Sequence, residues 1–127
     1  MTPTRVVHCK RDSFDIYIGR PSSGGYEHYG NPFTHKVATK ASVILSSRQA
    51  SIEAFRLWLA GEAYPEVNPE QRKWILANLS NLQGKRLGCW CVPSACHGHV
   101  LAQLADLTVQ PATLQSKIAP IEQLDLL

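Results

Sequence analysis

The chemically reactive side chains of this chain concentrate in residues 86–101. Three of the four cysteines and two of the five histidines lie there: Cys89, Cys91, Cys96, His97 and His99. Cysteine and histidine are the residue types that act as nucleophile, base or soft metal ligand near neutral pH. We therefore expect any catalytic or metal-binding site of this protein to include residues of this segment.

Two functional interpretations of this cluster are open, beside a structural one. In the first, Cys91 or Cys96 forms a catalytic or ligand-polarising site with His97, and a helix N-terminus favours the lower thiol pKa at Cys96. In the second, Cys89, Cys91, Cys96 and either His97 or His99 bind zinc, although a C-x-C pair on a straight strand is a poor chelate. In the third, Cys89 and Cys91 are small buried hydrophobes and His97 caps a helix.

A long loop rich in glycine and proline, residues 20–33, is a second candidate for a binding element. Loops of this length are more often functional than simple connectors. At its start, Gly19 and Arg20 can offer main-chain N–H groups and a guanidinium to a phosphate or carboxylate. The chain contains neither a GxGxxG nor a P-loop pattern, so the sequence does not support a dinucleotide or nucleoside triphosphate fingerprint.

The end of the same loop has a distinctive Gly-Asn-Pro-Phe sequence. The expected binding residues there are Gly30, Asn31, Pro32 and Phe33. The Asn-Pro step restricts the backbone and can present the Asn31 amide to a base or sugar. His8 and Lys10, at the end of the first predicted strand, are expected to join this site. The alternative is a surface loop held in place by its aromatic side chains.

The hydrophobic pattern predicts the elements that position these residues. They are strands at 5–9, 15–19, 41–45 and 86–91 and helices at 47–60, 68–82 and 96–107. Asn68 and Gln71 are predicted to form a capping pair at the start of the second helix. This order favours an α/β fold, a compact Rossmann-like three-layer domain with a partly parallel sheet. We expect residues 1–107 to form this single domain and residues 108–127 to form a C-terminal tail, docked or flexible. Ligands of such sheets gather at the carboxyl ends of the strands, where the loop and the cluster would meet.

The bulk composition is that of an ordinary globular domain. The chain has 127 residues, of which 44% are hydrophobic and 18% charged. It has no signal-peptide pattern and no apolar run of membrane-spanning length, so we expect a cytoplasmic protein with reduced cysteines and no membrane partner. The net charge of +3 is spread along the chain, which supports nucleic-acid binding only weakly.

Several short motifs, in their order along the chain, resemble the domain-of-unknown-function family 4326, which occurs in bacteria and phages. They are VVHCK at 6–10, YIGR at 17–20, GNPF at 30–33, GK at 84–85, LGCWC at 87–91 and CHG at 96–98. The resemblance covers residues 5 to about 107. Tyr29 stands where tryptophan or a similar aromatic residue is usual in the family. The chain departs from the family pattern in a loop lengthened by residues 24–29 and at His99, where an acidic residue is usual.

The corner at Cys96 and His97 is also similar to that of another uncharacterised α/β family, and this likeness implies a nucleotide or nucleoside site. We therefore expect a protein that binds or processes a nucleotide- or nucleoside-like small molecule. Arg20 would bind its anionic part, Asn31 would orient it, and Cys96 and His97 would act as thiolate and acid/base. A zinc-stabilised non-catalytic binding module and a weak nucleic-acid-binding accessory protein are the alternatives. The sequence leaves enzymatic activity, substrate and oligomeric state open.

Overall fold

A computed structural model describes residues 3–21, 25–34 and 43–107. Within them the elements are β1 (Arg5–His8), β2 (Ile16–Tyr17), β3 (Phe33–Thr34), β4 (Val43–Ile44), α1 (Arg48–Ala60), α2 (Pro69–Asn78), a 3-10 helix (Leu79–Leu82), β5 (Arg86–Cys89) and α3 (His97–Leu107). The predicted tail at 108–127, and residues 41–42 of the predicted strand at 41–45, lie outside the described residues. None of the described helices is long and apolar enough to cross a membrane.

Strand β5 lies at the centre of a three-stranded parallel sheet, between β1 and β2. Val6 and Ile16 both align with the fully buried Leu87, so the carboxyl ends of all three strands lie at one edge. Strands β3 and β4 form a second, two-stranded parallel sheet. The fold is therefore mixed α/β with small parallel sheets. The described elements do not confirm the expected Rossmann-like three-layer arrangement.

Helix α1 has the capping residues that the sequence predicts. The Ser47 side chain accepts a hydrogen bond from the Ala50 N–H, and Gly61 ends the helix with a φ of 82°, which a residue without Cβ adopts at little cost. Phe55 and Leu59 on its apolar face are completely buried. This packing holds the first turn of α1 close to the end of strand β3.

Helix α2 begins at Pro69 with Asn68 at its N-cap, as the sequence predicts. Asn68 has a left-handed conformation and makes no side-chain capping bond to the helix. Its Nδ2 instead donates to the Oε1 of Gln71 over 3.1 Å, so the two side chains pair without the predicted capping bonds. Gln71 is buried and its Nε2 donates to the carbonyl oxygen of Gly30 over 2.7 Å. A buried loop carbonyl needs a hydrogen-bond donor, and the Gln71 amide supplies it. That amide N–H is therefore engaged with the loop and does not cap the helix.

Strand β5 ends two residues earlier than predicted, at Cys89. Its pairing with β1 stops where Cys89 meets His8, so the chain beyond has no partner that would keep it extended. Trp90 and Cys91 therefore lie in a bend, and α3 begins at His97 rather than at Cys96. Because the strand ends here, Cys91 is not part of an extended segment with Cys89, in contrast to the sequence prediction.

Candidate functional site

A cavity of about 330 Å³ opens at the carboxyl edge of the sheet. Its walls come from the segment after β2, the Gly-Asn-Pro-Phe loop, the first turn of α1 and the turn between β5 and α3. Its polar and sulfur-bearing walls include Arg20, Asn31, Arg48, Ser51 and the three clustered cysteines. The structure thus brings the predicted loop and the predicted Cys/His segment to one cavity.

The sulfur atoms of Cys89, Cys91 and Cys96 form a compact cluster on the wall of this cavity. All three lie within 4.8 Å of one another, and the Sγ atoms of Cys89 and Cys96 are 3.2 Å apart. The bend after β5 brings the sulfur of Cys91 closer to that of Cys89 than the spacing of about 6.6 Å between alternate residues of a straight strand. The chelation difficulty of a C-x-C pair on a straight strand therefore does not apply here.

Two main-chain N–H groups point at the sulfurs. The Cys91 N–H donates to the Sγ of Cys89 over 3.5 Å, and the Gly98 N–H donates to the Sγ of Cys96 over 3.3 Å. A Cβ on Gly98 would lie 2.6 Å from the Ile18 side chain and 3.2 Å from the Cys96 sulfur. Glycine at this position therefore lets the first turn of α3 pack closely against the cluster.

The thiols of the cluster differ in the direction in which their pKa values are shifted. Hydrogen bonds from Cys89 and Cys96, with a smaller contribution from the Arg48 side chain, lower the pKa of Cys91. Hydrogen bonding to Cys89 and Cys91, together with burial, raises the pKa of Cys96. Contacts within the cluster therefore favour Cys91 over Cys96 as the thiolate, which is opposite to the preference expected from the helix N-terminus.

His97 is buried beneath the cavity and binds two carbonyl groups. Its Nε2 lies 2.8 Å from the Ile18 oxygen and 3.0 Å from the Tyr29 oxygen, so this nitrogen carries the proton. Burial lowers the pKa of His97 to about 4, which keeps the ring neutral. In this structure the ring ties α3 to strand β2 and to the loop. His99 is exposed, and its Nδ1 accepts a 3.2 Å hydrogen bond from the Cys96 N–H.

The Asn31 amide is engaged with its own loop and with α1. Its Oδ1 accepts from the Phe33 N–H over 2.9 Å, and its Nδ2 donates to the Ser51 hydroxyl over 3.1 Å. That hydroxyl in turn donates to the Phe33 carbonyl over 3.0 Å. Asn31, predicted to orient a ligand, thus shapes the cavity wall through a closed set of hydrogen bonds. Gly30 and Pro32 are buried in the loop and are not part of the lining.

Two arginines from different elements meet at the cavity. Arg20 donates from Nη1 to the Asn31 carbonyl over 2.6 Å, and its half-buried position lowers its pKa. Arg48, the first residue of α1, lines the same space as Cys91, and its positive charge helps to lower the pKa of that thiol. Arg48 was not among the site residues expected from the sequence, although its place directly after the Ser47 cap puts it at the positive end of a helix. Among the described lining residues there is no aspartate or glutamate.

Trp90 lies at the rim of the cavity and was likewise not among the site residues expected from the sequence. It is 55% exposed, and its indole N–H donates to the Tyr17 hydroxyl over 2.9 Å. The Lys10 ammonium lies 5.5 Å from the indole ring centroid, and the His8 ring packs edge-on at 6.0 Å. His8 and Lys10, predicted as ligand-binding residues, are absent from the lining and flank Trp90 instead.

Comparison with known proteins places these residues in a family. The profile of a domain of unknown function, DUF4326, matches residues 5–107, from β1 to the end of α3. The chain belongs to the DUF4326 family. It is also 30% identical over 103 residues to an uncharacterized 12.4 kDa protein from the nrdA-td intergenic region of Enterobacteria phage T4, covering 80% of this chain and 77% of the phage protein. No solved structure matches the chain.

The family resemblance expected from the motifs is therefore confirmed. In this DUF4326 protein, the motif residues Arg20, Asn31, Cys91 and Cys96 all line the cavity. The description of the family names no activity, so an assignment of function rests on the chemistry of the cavity itself.

Proposed function

We propose that the cavity binds a small nucleotide-like anion, with its phosphate at Arg20 and Arg48 and its base at Trp90. The observation that carries this proposal is the presence of two guanidinium groups on a cavity wall whose described residues include no carboxylate. Burial of positive charge without a matching carboxylate favours an anionic ligand.

The two arginines are suited to a phosphate group. Arg20 uses one N–H on the Asn31 carbonyl, which fixes the orientation of its planar guanidinium. Arg48 is located on the first turn of α1, where the free N–H groups of the helix add positive potential. Guanidinium groups bind phosphate through paired N–H donors, and such charge-assisted hydrogen bonds are stronger than neutral ones.

Trp90 favours a ligand that contains a planar ring. The indole of Trp90 is 55% exposed and is held by its hydrogen bond to Tyr17 at the mouth of the cavity. Stacking of a base on such a side chain contributes roughly 1–3 kcal/mol. The cavity volume of about 330 Å³ is at the lower end of small-molecule sites, which span about 300–1,000 Å³. These features together support a mononucleotide rather than a dinucleotide.

Isothermal titration with nucleoside monophosphates, the matching nucleosides and inorganic phosphate tests the proposal. We expect a monophosphate to bind more tightly than either part alone, because the arginines and Trp90 then contribute together. Quenching of tryptophan emission should follow the same order. If no nucleoside monophosphate binds at millimolar concentration, the proposal is wrong.

A matched pair of variants separates the cavity from general charge effects. Arg48→Gln should weaken binding about 10- to 100-fold, the equivalent of about 1.5–3 kcal/mol for a charged hydrogen bond. Arg56→Gln makes the same charge change on the same helix, but Arg56 pairs with Glu53 outside the lining. Equal losses in the two variants would contradict a specific phosphate contact.

A further inference from the structure

We infer that Cys89, Cys91 and Cys96 bind one Zn²⁺ ion whose fourth coordination position opens into the cavity. This inference goes beyond the proposed nucleotide binding and does not depend on it. A tetrahedral zinc site with Zn–S bonds of about 2.3 Å places its sulfurs about 3.8 Å apart. The three sulfurs here lie within 4.8 Å of one another, with one pair at 3.2 Å, so small side-chain rotations reach this geometry.

Two of the three sulfurs accept a main-chain hydrogen bond. The N–H of Cys91 donates to the Sγ of Cys89, and the N–H of Gly98 donates to the Sγ of Cys96. The Arg48 side chain lines the same cavity wall as the third sulfur, that of Cys91. Donors of this kind stabilise sulfur as a thiolate, which is the form that binds a metal. Three buried apolar thiols would need none of these donors.

The charges around the cluster also fit a bound divalent ion. Three thiolates this close together repel one another strongly, and a Zn²⁺ ion reduces their total charge to a single negative unit. The neighbouring Arg20 and Arg48 side chains then offset that remaining charge. The same two arginines remain on the cavity wall, where an anionic ligand can reach them.

The two nearby histidines do not complete the coordination. Neither His97 nor His99 belongs to the group of clustered ligand atoms. The Nε2 of His97 is bound to two carbonyl oxygens, and the Nδ1 of His99 accepts from the Cys96 N–H. Because all three cysteines line the cavity, its interior is the place for a fourth ligand. Three protein ligands and one open position are typical of reactive rather than structural zinc sites.

The first experiment measures zinc in the full chain, purified without chelator or metal-affinity resin. We expect about one Zn²⁺ per chain in the wild type. Cys91→Ser should bind zinc at least 10-fold more weakly in a chelator competition, and this partly exposed position is the one least needed for folding. Cys9→Ser is the matched control, because Cys9 lies outside the cluster, and it should retain the wild-type zinc content.

The second experiment replaces zinc with Co²⁺ and records the absorption spectrum. Three thiolates in a tetrahedral site should give an intense sulfur-to-cobalt band in the near ultraviolet and visible bands from the metal. Added azide should shift the visible bands if the fourth position is open. An unchanged spectrum would show that the fourth position is closed and would overturn that part of the inference.

Failure of the metal inference is distinguishable from failure of the nucleotide proposal. Trp90→Ala should lower the affinity for a nucleoside monophosphate and keep the zinc content, because Trp90 is exposed and contributes no atom to the group of clustered ligands. A wild-type protein that takes up no stoichiometric zinc after reconstitution refutes the metal site, whatever its nucleotide affinity. Equal zinc loss in Cys9→Ser and Cys91→Ser would refute it as well.

Discussion

The guanidinium of Arg20 donates a 2.6 Å hydrogen bond to the main-chain carbonyl of Asn31. This bond joins the end of strand β2 to the Gly-Asn-Pro-Phe loop, and both residues line the cavity. Gly30 makes the approach possible, since a Cβ there would lie 2.9 Å from both the Cα and the Cγ of Arg20. The close contact between the residues that follow β2 and the end of the loop explains why position 30 requires glycine.

Gly30→Ala should therefore destabilise the fold. The added methyl group must push the loop away from the Arg20 backbone, and overpacking of this kind costs about 1–3 kcal/mol. Urea unfolding monitored by circular dichroism measures the loss. Unchanged or increased stability, the usual result of Gly→Ala at an open site, would contradict the close contact.

Asn31 and Ser51 should contribute to stability as a coupled pair. Each single alanine variant leaves buried polar groups of the loop unpaired, and we expect a loss of about 1–3 kcal/mol for each. The double variant should lose less than the sum by at least about 0.5 kcal/mol, because the shared hydrogen bond is removed only once. Strictly additive losses in a double-mutant cycle would argue against the network.

His97→Phe and His97→Gln should differ in stability. The His97 ring packs edge-on against Phe55 and donates to two buried carbonyls. Phenylalanine keeps the bulk but leaves those carbonyls without a donor, at about 1–3 kcal/mol for each unsatisfied group. Glutamine keeps an N–H donor and should lose less in thermal unfolding. A phenylalanine variant as stable as the glutamine variant would show that the carbonyl contacts contribute little.

Asp15 should make stability depend on pH in the acid range. Hydrogen bonds from the Arg86 side chain and main chain lower the pKa of Asp15 from 3.8 to about 2 in the folded protein. The unfolded chain therefore binds the proton more readily, so the contribution is complete above pH 3.8 and disappears as pH falls toward 2.

The variant Asp15→Asn tests this dependence by thermal unfolding. The wild type should have the higher melting temperature at pH 7, and the gap should narrow as pH falls from 4 toward 2. Both side chains are exposed enough that the gap is small. A gap that stays constant over this range would show that the ion pair does not contribute through the charge of Asp15.

Local sequence determined several features of this protein correctly. Apolar runs and capping residues located the first helix and the strands at 5–9 and 86–91 to within two residues, because these signals act between neighbours in the chain. The order of the motifs identified the DUF4326 family. The concentration of cysteine and histidine located the segment whose thiols cluster on the cavity, since residue type alone limits which side chains are reactive.

Tertiary structure alone decided how those residues are used. The end of β5 depends on where β1 stops pairing, and this bend turns Cys91 toward Cys89 and Cys96. Contacts with the neighbouring thiols, and to a smaller extent the charge of Arg48 on another element, lower the pKa of Cys91, whereas contacts with the other thiols raise that of Cys96. Burial of His97 between two carbonyls likewise depends on segments far away in the chain. Charge, burial and hydrogen-bond partners come from residues distant in sequence, so spacing along the chain cannot specify them.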